Sequence, residues 1–304
     1  MLTVCNYHYI RENFEAKYPS IFGVTPKQFK GQLLKLKNEG EFISLTQLGG
    51  NIDLILNSKD NFCLITFDDG LKEQFKLGLS ILEDLSIPAL FFANSINHSE
   101  SKVSTVHKIH LLRSILDSDI ILKSIEKTHS DKLQNLNVSK IKNVYIYDKE
   151  KSAILKYVLN FVLNYKEQEL MINNLFSKYF NDTEVLNNLY MTLENLKALA
   201  SLGYLGSHTH SHYPLGLLKE KSILKELSVS KKYLERHTKS KIEAIAYPYG
   251  SNEACTIEVA DLAKKTGYKF GFTTKRGLNL NNQNRLLLNR FDCNDLIGGK
   301  NYKL

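Results

Sequence analysis

The sequence predicts an α/β fold built on a parallel sheet, either a barrel or an open sheet, with a helical insertion. Three observations carry this. Short apolar runs alternate with helical patterns through both ends of the chain. Two of the runs, Phe62–Phe67 and Pro88–Ala93, are apolar but for Thr66, the mark of strands buried on both faces. Residues 95–191 break the rhythm with amphipathic helical stretches.

Taken in order, Leu2–Tyr9 reads as a strand. Pro26–Asn38 follows as a helix, with Thr25 as its N-cap and Pro26 at its first position. Phe62–Phe67 is the next strand, Glu73–Leu85 a helix, and Pro88–Ala93 a strand. Helical patterns then run over Val106–Lys127 and Lys151–Tyr179. Thr192–Leu202 is a helix, Tyr204–Gly206 a strand, and Leu218–His237 a long helix. Ala244–Tyr247, Glu253–Thr266, Phe270–Thr273 and Leu286–Phe291 are read as strand, helix, strand and strand. This gives a discontinuous α/β domain, 1–94 with 192–304, and a mostly helical insertion at 95–191. Insertions of this kind build substrate sites, decorate the scaffold or form dimer surfaces.

The 304 residues are 43% hydrophobic, enough for a sizeable core and unlike a disordered chain. The net charge of +8 lies in the last third: 201–304 holds 17 basic and 9 acidic side chains. Those lysines read as solvated helix faces, with an anionic partner such as a phosphorylated lipid or nucleotide-sugar as the alternative. No nucleic-acid motif accompanies them, so a nucleic-acid partner is not expected. The four cysteines, Cys5, Cys63, Cys255 and Cys293, form no CxxC pair, which excludes a zinc ribbon and fits a reducing compartment. The start lacks the pattern of a secretory signal, and no run approaches the about 18 apolar residues of a membrane span. A cytoplasmic protein without a transmembrane segment is expected.

Two stretches carry chemistry. Thr66-Phe67-Asp68-Asp69-Gly70 puts adjacent carboxylates at the end of a buried strand, where ligands collect in parallel α/β folds. Burying both is costly unless a cation or proton neutralises them. A solvated turn is the plainer reading of the same residues. Gly206-Ser207-His208-Thr209-His210-Ser211-His212 also follows a short strand. One helical turn brings His208 and His212 to one side, whereas an extended backbone pairs His210 with either. Two imidazoles and one carboxylate give a metal three protein ligands and leave positions for water and substrate. The second Asp is then available as a general base.

Together these residues resemble the polysaccharide deacetylases, carbohydrate esterase family 4 with the NodB-homology domain. Thr66–Gly70 is similar to the first motif of that family and His208–His212 to the second. Ala246-Tyr247-Pro248-Tyr249-Gly250 is similar to the third, and Asn6–Ile10 to the start of one branch. The resemblance covers 1–94 and 192–292. It implies a distorted (β/α)7-type barrel that hydrolyses the acetamide of an N-acetylhexosamine in a glycan or glycan precursor. It also implies a divalent metal, Zn2+ first, with Co2+ or Ni2+ as substitutes. Asp69, His208 and His212 take the ligand positions and Asp68 that of the base. The backbone N–H of Tyr249 takes that of the oxyanion donor, and Pro248 and Tyr249 line the substrate.

Two departures stand out. The arginine that precedes the proline in many relatives is missing here, where Ala246 and Tyr247 stand; Arg290 is the candidate to hold the base. No histidine follows His237, so the acid of many relatives is absent as well, and His8 is the candidate to replace it, with Asp292 to orient it. His107, His110 and His129 of the insertion read as solvated. The substrate partner is an acetylated amino-sugar, with a lipid- or nucleotide-linked sugar as one form. Alternatives are hydrolysis of a formamide or cyclic amide on the same scaffold, or an inactive carbohydrate-binding relative.

Overall fold

The structure, a computed structural model, describes residues 1–18, 23–134, 136–145, 148–299 and 301–302. The chain forms two compact units. One comprises Met1–Asn13, Gly23–Lys102 and Val185–Leu304, the other Phe14–Phe22 and Val103–Glu184.

The first unit opens with β1 (Leu2–Tyr7) and α1 (Pro26–Leu36). Thr25 caps α1 in a reciprocal box with Gln28. β2 (Glu41–Phe42) and α2 (Leu45–Asn57) come next, α2 capped in the same way by Ser44 and Gln47. β3 (Phe62–Phe67) is followed by a π-helical turn, Gln74–Leu79, that runs into α3 (Ser80–Asp84). β4 (Ala89–Ala93) and the short α4 (Ile96–Ser99) complete this half.

The second unit is mostly helical among its described residues. It holds α5 (Thr105–Ile115), α6 (Ser118–Leu133), α7 (Val138–Val144), α8 (Glu150–Tyr157) and α9 (Tyr165–Phe176). The two long helical patterns read from the sequence are each broken. Asp117 caps α6 by accepting from Asp119 N–H, and Asn164 caps α9 in a box with Glu167. A side chain that satisfies a new set of helix-start amides ends the preceding helix. His107 corrects the expectation of solvated insertion histidines: it is fully buried on α5, its ring 6.1 Å from that of His110.

α10 (Asp182–Leu189) leads back into the first unit, which continues with α11 (Leu193–Ser201), β5 (Leu205–Ser207) and α12 (Glu220–Thr238). β6 (Ala244–Ala246), α13 (Ile257–Lys265), β7 (Phe270–Phe272) and β8 (Phe291–Asp292) finish it. The strand read over Leu286–Phe291 is mostly irregular. Only its last residue is in β8, and Leu288 makes a single bridge to Phe272.

Seven strands run in the order β7-β6-β5-β4-β3-β1-β8, and every pairing is parallel. β2 pairs with the start of β3, at Phe62 and Cys63, and β4 takes over that edge from Ile65 onward. The sheet is the curled, parallel (β/α)-barrel type. Among the described residues no helix is long and apolar enough to cross a membrane.

Strand alternation divides the core into two layers and places the site. In β3, Cys63, Ile65 and Phe67 pack toward the helices, with Phe67 stacked on Phe91 at 4.6 Å. Leu64 belongs to the other cluster, with Val4, Leu90, Phe92, Ala246 and Phe272. Side chains two apart share a face. The inner face that starts at Leu64 therefore continues through Thr66 to Asp68. The one that starts at Val4 continues through Asn6 to His8. Apolar side chains fill the inside of the sheet, and polar ones follow at the C-terminal end of the same faces. The four cysteines are buried and unbridged. Burial raises the thiols of Cys63 and Cys255, to about 11 and about 12, which keeps them unreactive.

Candidate active site

Asp68 lies just past β3 and is 2% exposed. Burial alone would raise its pKa. The charge of Arg290, with His208, the arginine hydrogen bonds and His8, outweighs burial and holds the carboxyl below its usual range. Arg290 grips it in two parallel bonds, Nη1 to Oδ1 at 2.8 Å and Nη2 to Oδ2 at 2.7 Å. The arginine is itself buried and held at further points. Its Nε donates to the Thr273 carbonyl at 2.7 Å, and its Nη1 reaches Asn6 Oδ1 at 3.0 Å and Thr66 Oγ1 at 3.3 Å. The segment before β8 brings it there because β8 pairs with β1, with Asn6 opposite Asp292. From below, Gln74 donates to the backbone carbonyls of Asp68 and His8.

Asp69 turns the other way. Its φ of +80°, followed by +62° at Gly70, swings the chain sharply off the strand. A Cβ at residue 70 would meet Ala93 at 3.0 Å, so this second turn position favours glycine on both counts. Asp69 Oδ1 then lies 3.4 Å from His208 Nε2 and 3.3 Å from His212 Nε2. All three residues are buried, and one ligand atom from each lies within 4.8 Å of the others.

The histidine loop reaches this geometry through two left-handed residues, Thr209 at φ +64° and His212 at φ +61°. Each such residue costs about 1–3 kcal/mol and persists only where neighbours hold it. Its turned backbone decides the alternative left open by the spacing. His208 and His212 face Asp69, while His210 points away to Ser95 and Glu100. β5 also needs Gly206, because a Cβ there would lie 2.5 Å from the Phe92 ring.

The donor set fits a divalent metal. His208 Nδ1 lies 2.8 Å from the Ala246 carbonyl, which only accepts, so Nδ1 carries the proton. In the neutral ring Nε2 is then a bare lone pair aimed at a carboxylate oxygen. Two electron-rich atoms face each other and require a cation between them, a proton or a metal. Burial disfavours a charged His208, but Asp68 and Asp69 outweigh it and raise its pKa. Tetrahedral zinc with ligands at its usual bond lengths spaces them about 3.3–3.5 Å apart, and the two carboxylate–imidazole separations match that spacing. The Ala246 carbonyl also fixes the ring, as outer partners of ligand histidines do.

His8 and Tyr249 form the rim. His8 Nε2 is 3.8 Å from Asp68 Oδ2 and its side chain is 35% exposed. Asp292, expected to orient it, instead accepts from the backbone and side-chain nitrogens of Asn294. Tyr249, at φ +62°, is 40% exposed and sets its ring edge-on to His212 at 5.3 Å. Pro248 beneath it is buried. The carbonyls of Tyr249 and Gly250 are tied to Thr274, through Oγ1 at 2.8 Å and N–H at 3.0 Å. Sequence reasoning did not single out Asn6, Thr66, Gln74 or Thr273, which hold the arginine and the base. Asn6 and Thr66 were within reach, since each precedes a candidate residue by two positions on the same strand face.

Comparison with known proteins bears on the sequence around the histidine loop and on the fold. The sequence model described as polysaccharide deacetylase matches residues 179–271, which include the histidine and Pro-Tyr-Gly motifs. No curated protein sequence matches the chain. The fold is that of solved deacetylases. Streptococcus pyogenes deacetylase PplD, in complex with acetate, superposes with a TM-score of 0.56 at 18% identity, over 96% of this chain and 91% of that one. IcaB from Ammonifex degensii gives 0.57 at 16%, over 95% and 90%. The BpsB deacetylase domain from Bordetella bronchiseptica gives 0.56 at 15%, over 96% and 95%. The stretch that holds the histidine and Pro-Tyr-Gly motifs is thus similar in sequence to polysaccharide deacetylases, and the chain has the fold of solved deacetylases.

Proposed function

We propose that the protein is a metal-dependent deacetylase that hydrolyses the acetamide of an N-acetylhexosamine in a glycan or glycan precursor. One observation carries the reading. A bare imidazole nitrogen and a second imidazole converge on one buried carboxylate oxygen, beside a separate carboxylate already satisfied by an arginine.

Asp69, His208 and His212 would hold the cation, Zn2+ in the first instance. When bound, it supplies Lewis acidity to the acetyl carbonyl and makes water easier to deprotonate. The remaining work belongs to the chain. Asp68 accepts the proton of the attacking water. Arg290 fixes the direction of both its oxygens and keeps it ionised. The backbone N–H of Tyr249 is the donor to the developing oxyanion. His8, at the exposed rim and 3.8 Å from Asp68, delivers a proton to the leaving amine. Buried Pro248 sets the turn that presents Tyr249, whose exposed ring offers the sugar an apolar face. A lipid- or nucleotide-linked sugar remains within this substrate class.

The test is bound metal in the purified protein and in His208→Ala. The expected result is about one equivalent of zinc in the wild type and loss of it in the variant. A wild-type protein that takes up neither zinc, cobalt nor nickel would overturn the reading.

A further inference from the structure

His210 lies between the two ligand-position histidines and is only 6% exposed. Its Nδ1 is 2.8 Å from Ser95 Oγ, and its Nε2 is 3.0 Å from Glu100 Oε1. An ionised carboxylate only accepts, so in the neutral ring Nε2 donates to Glu100 and Nδ1 accepts from the Ser95 hydroxyl. Both ring nitrogens are used in a single tautomer, and the ring cannot turn over without breaking both bonds.

A Ser–His–Glu chain has the order of a nucleophilic triad. Ser95, however, has no exposed surface, so no substrate reaches its hydroxyl. The chain is mechanical instead. The backbone runs alongside it: His208 N–H donates to the Ala93 carbonyl at 2.9 Å, Ser95 N–H to Thr209 at 3.3 Å, and Ile96 N–H to His210 at 3.1 Å. Asn94 Nδ2 donates to the His208 carbonyl. The pairing of β4 with β5 thus continues past both strand ends into the loop, and the two side-chain bonds of His210 fasten its midpoint.

We propose that His210 is a positioning residue, latched by Ser95 and Glu100 so that His208 and His212 are held at the separation metal binding requires. The loop keeps two residues at positive φ within four positions, and relaxation of either would swing His212 away from Asp69. The proposal rests on the metal reading only in what the latch is for; the latch itself is a property of the metal-free chain.

The experiment uses the full chain without metal. Hydrogen exchange is followed over Leu205–Tyr213, and zinc affinity is then measured by chelator competition. Glu100 is partly exposed, so Glu100→Ala removes the outer bond without touching the core. His210→Phe removes both bonds and keeps the ring volume. Both variants are expected to exchange about tenfold faster over this segment and to bind zinc about 10–100-fold more weakly. Glu100→Gln, whose amide oxygen accepts the same bond, should stay within about threefold of wild type on both measures. Lys102→Ala, which takes the lysine away from Glu100, should match wild type. Unchanged exchange in Glu100→Ala overturns the latch, and so does a Glu100→Gln variant as loose as Glu100→Ala. Wild type that binds no metal would sink the metal reading, while the exchange result still decides the latch.

Discussion

Asp68 and Asp69 are adjacent in the chain, equally buried, and satisfied in opposite ways. Asp68 faces a cation that belongs to the protein, the doubly bonded guanidinium of Arg290. Asp69 faces two imidazoles, one of which offers it a lone pair. A carboxylate paired inside the chain keeps its charge and is free to move protons; one on which two imidazoles converge suits an ion from solution. The left-handed backbone at Asp69 separates the two environments.

Breaking each side should therefore give different losses. Asp69→Ala is expected to abolish both bound zinc and measurable deacetylation, whereas Asp68→Asn keeps the metal and lowers kcat by on the order of 10^2–10^4-fold. Metal content measured beside turnover checks this; loss of metal in Asp68→Asn would erase the distinction. Arg290→Leu leaves the Asp68 charge buried without its partner. It should cost about 3–5 kcal/mol in urea unfolding and most of the activity, with the three ligand residues intact. His8→Ala should lower kcat about 100-fold with no change in unfolding midpoint, because the side chain is a rim group; full activity would remove His8 from the mechanism. The smallest effect is expected at the sheet. Gly206→Ala forces a methyl into the Phe92 ring and should destabilise by about 1–3 kcal/mol, as read from thermal unfolding.

The sequence made the charged ends of two strands legible, because Asp69, His208 and His212, which the fold brings together, come in two short contiguous runs at strand ends. Arg290 was legible as a candidate through the absence of arginine before Pro248, but its double bond to Asp68 came only from the fold. Less was legible where local signals were weak. β2 has two residues, too few for a period, and α2 is interrupted by Gly49-Gly50 and a non-helical Asn51, although its buried Leu48, Ile52, Ile55 and Leu56 recur at helical spacing. The three scattered histidines of the insertion read alike in sequence, yet the buried face of α5 includes His107. The partners of His210 are 110 and 115 positions away, and no spacing rule links residues at that distance.

The bond between Asp68 and Arg290 spans 222 positions, which has a consequence for biosynthesis. At typical ribosomal speeds the arginine is made roughly 10–45 seconds after the aspartate. For that interval β3 ends in a carboxylate whose internal counter-charge does not yet exist. The nascent barrel has reason to keep that end open to water and to close it only when β8 docks beside β1. The buried pairing of Asp68 therefore waits on the segment that carries Arg290.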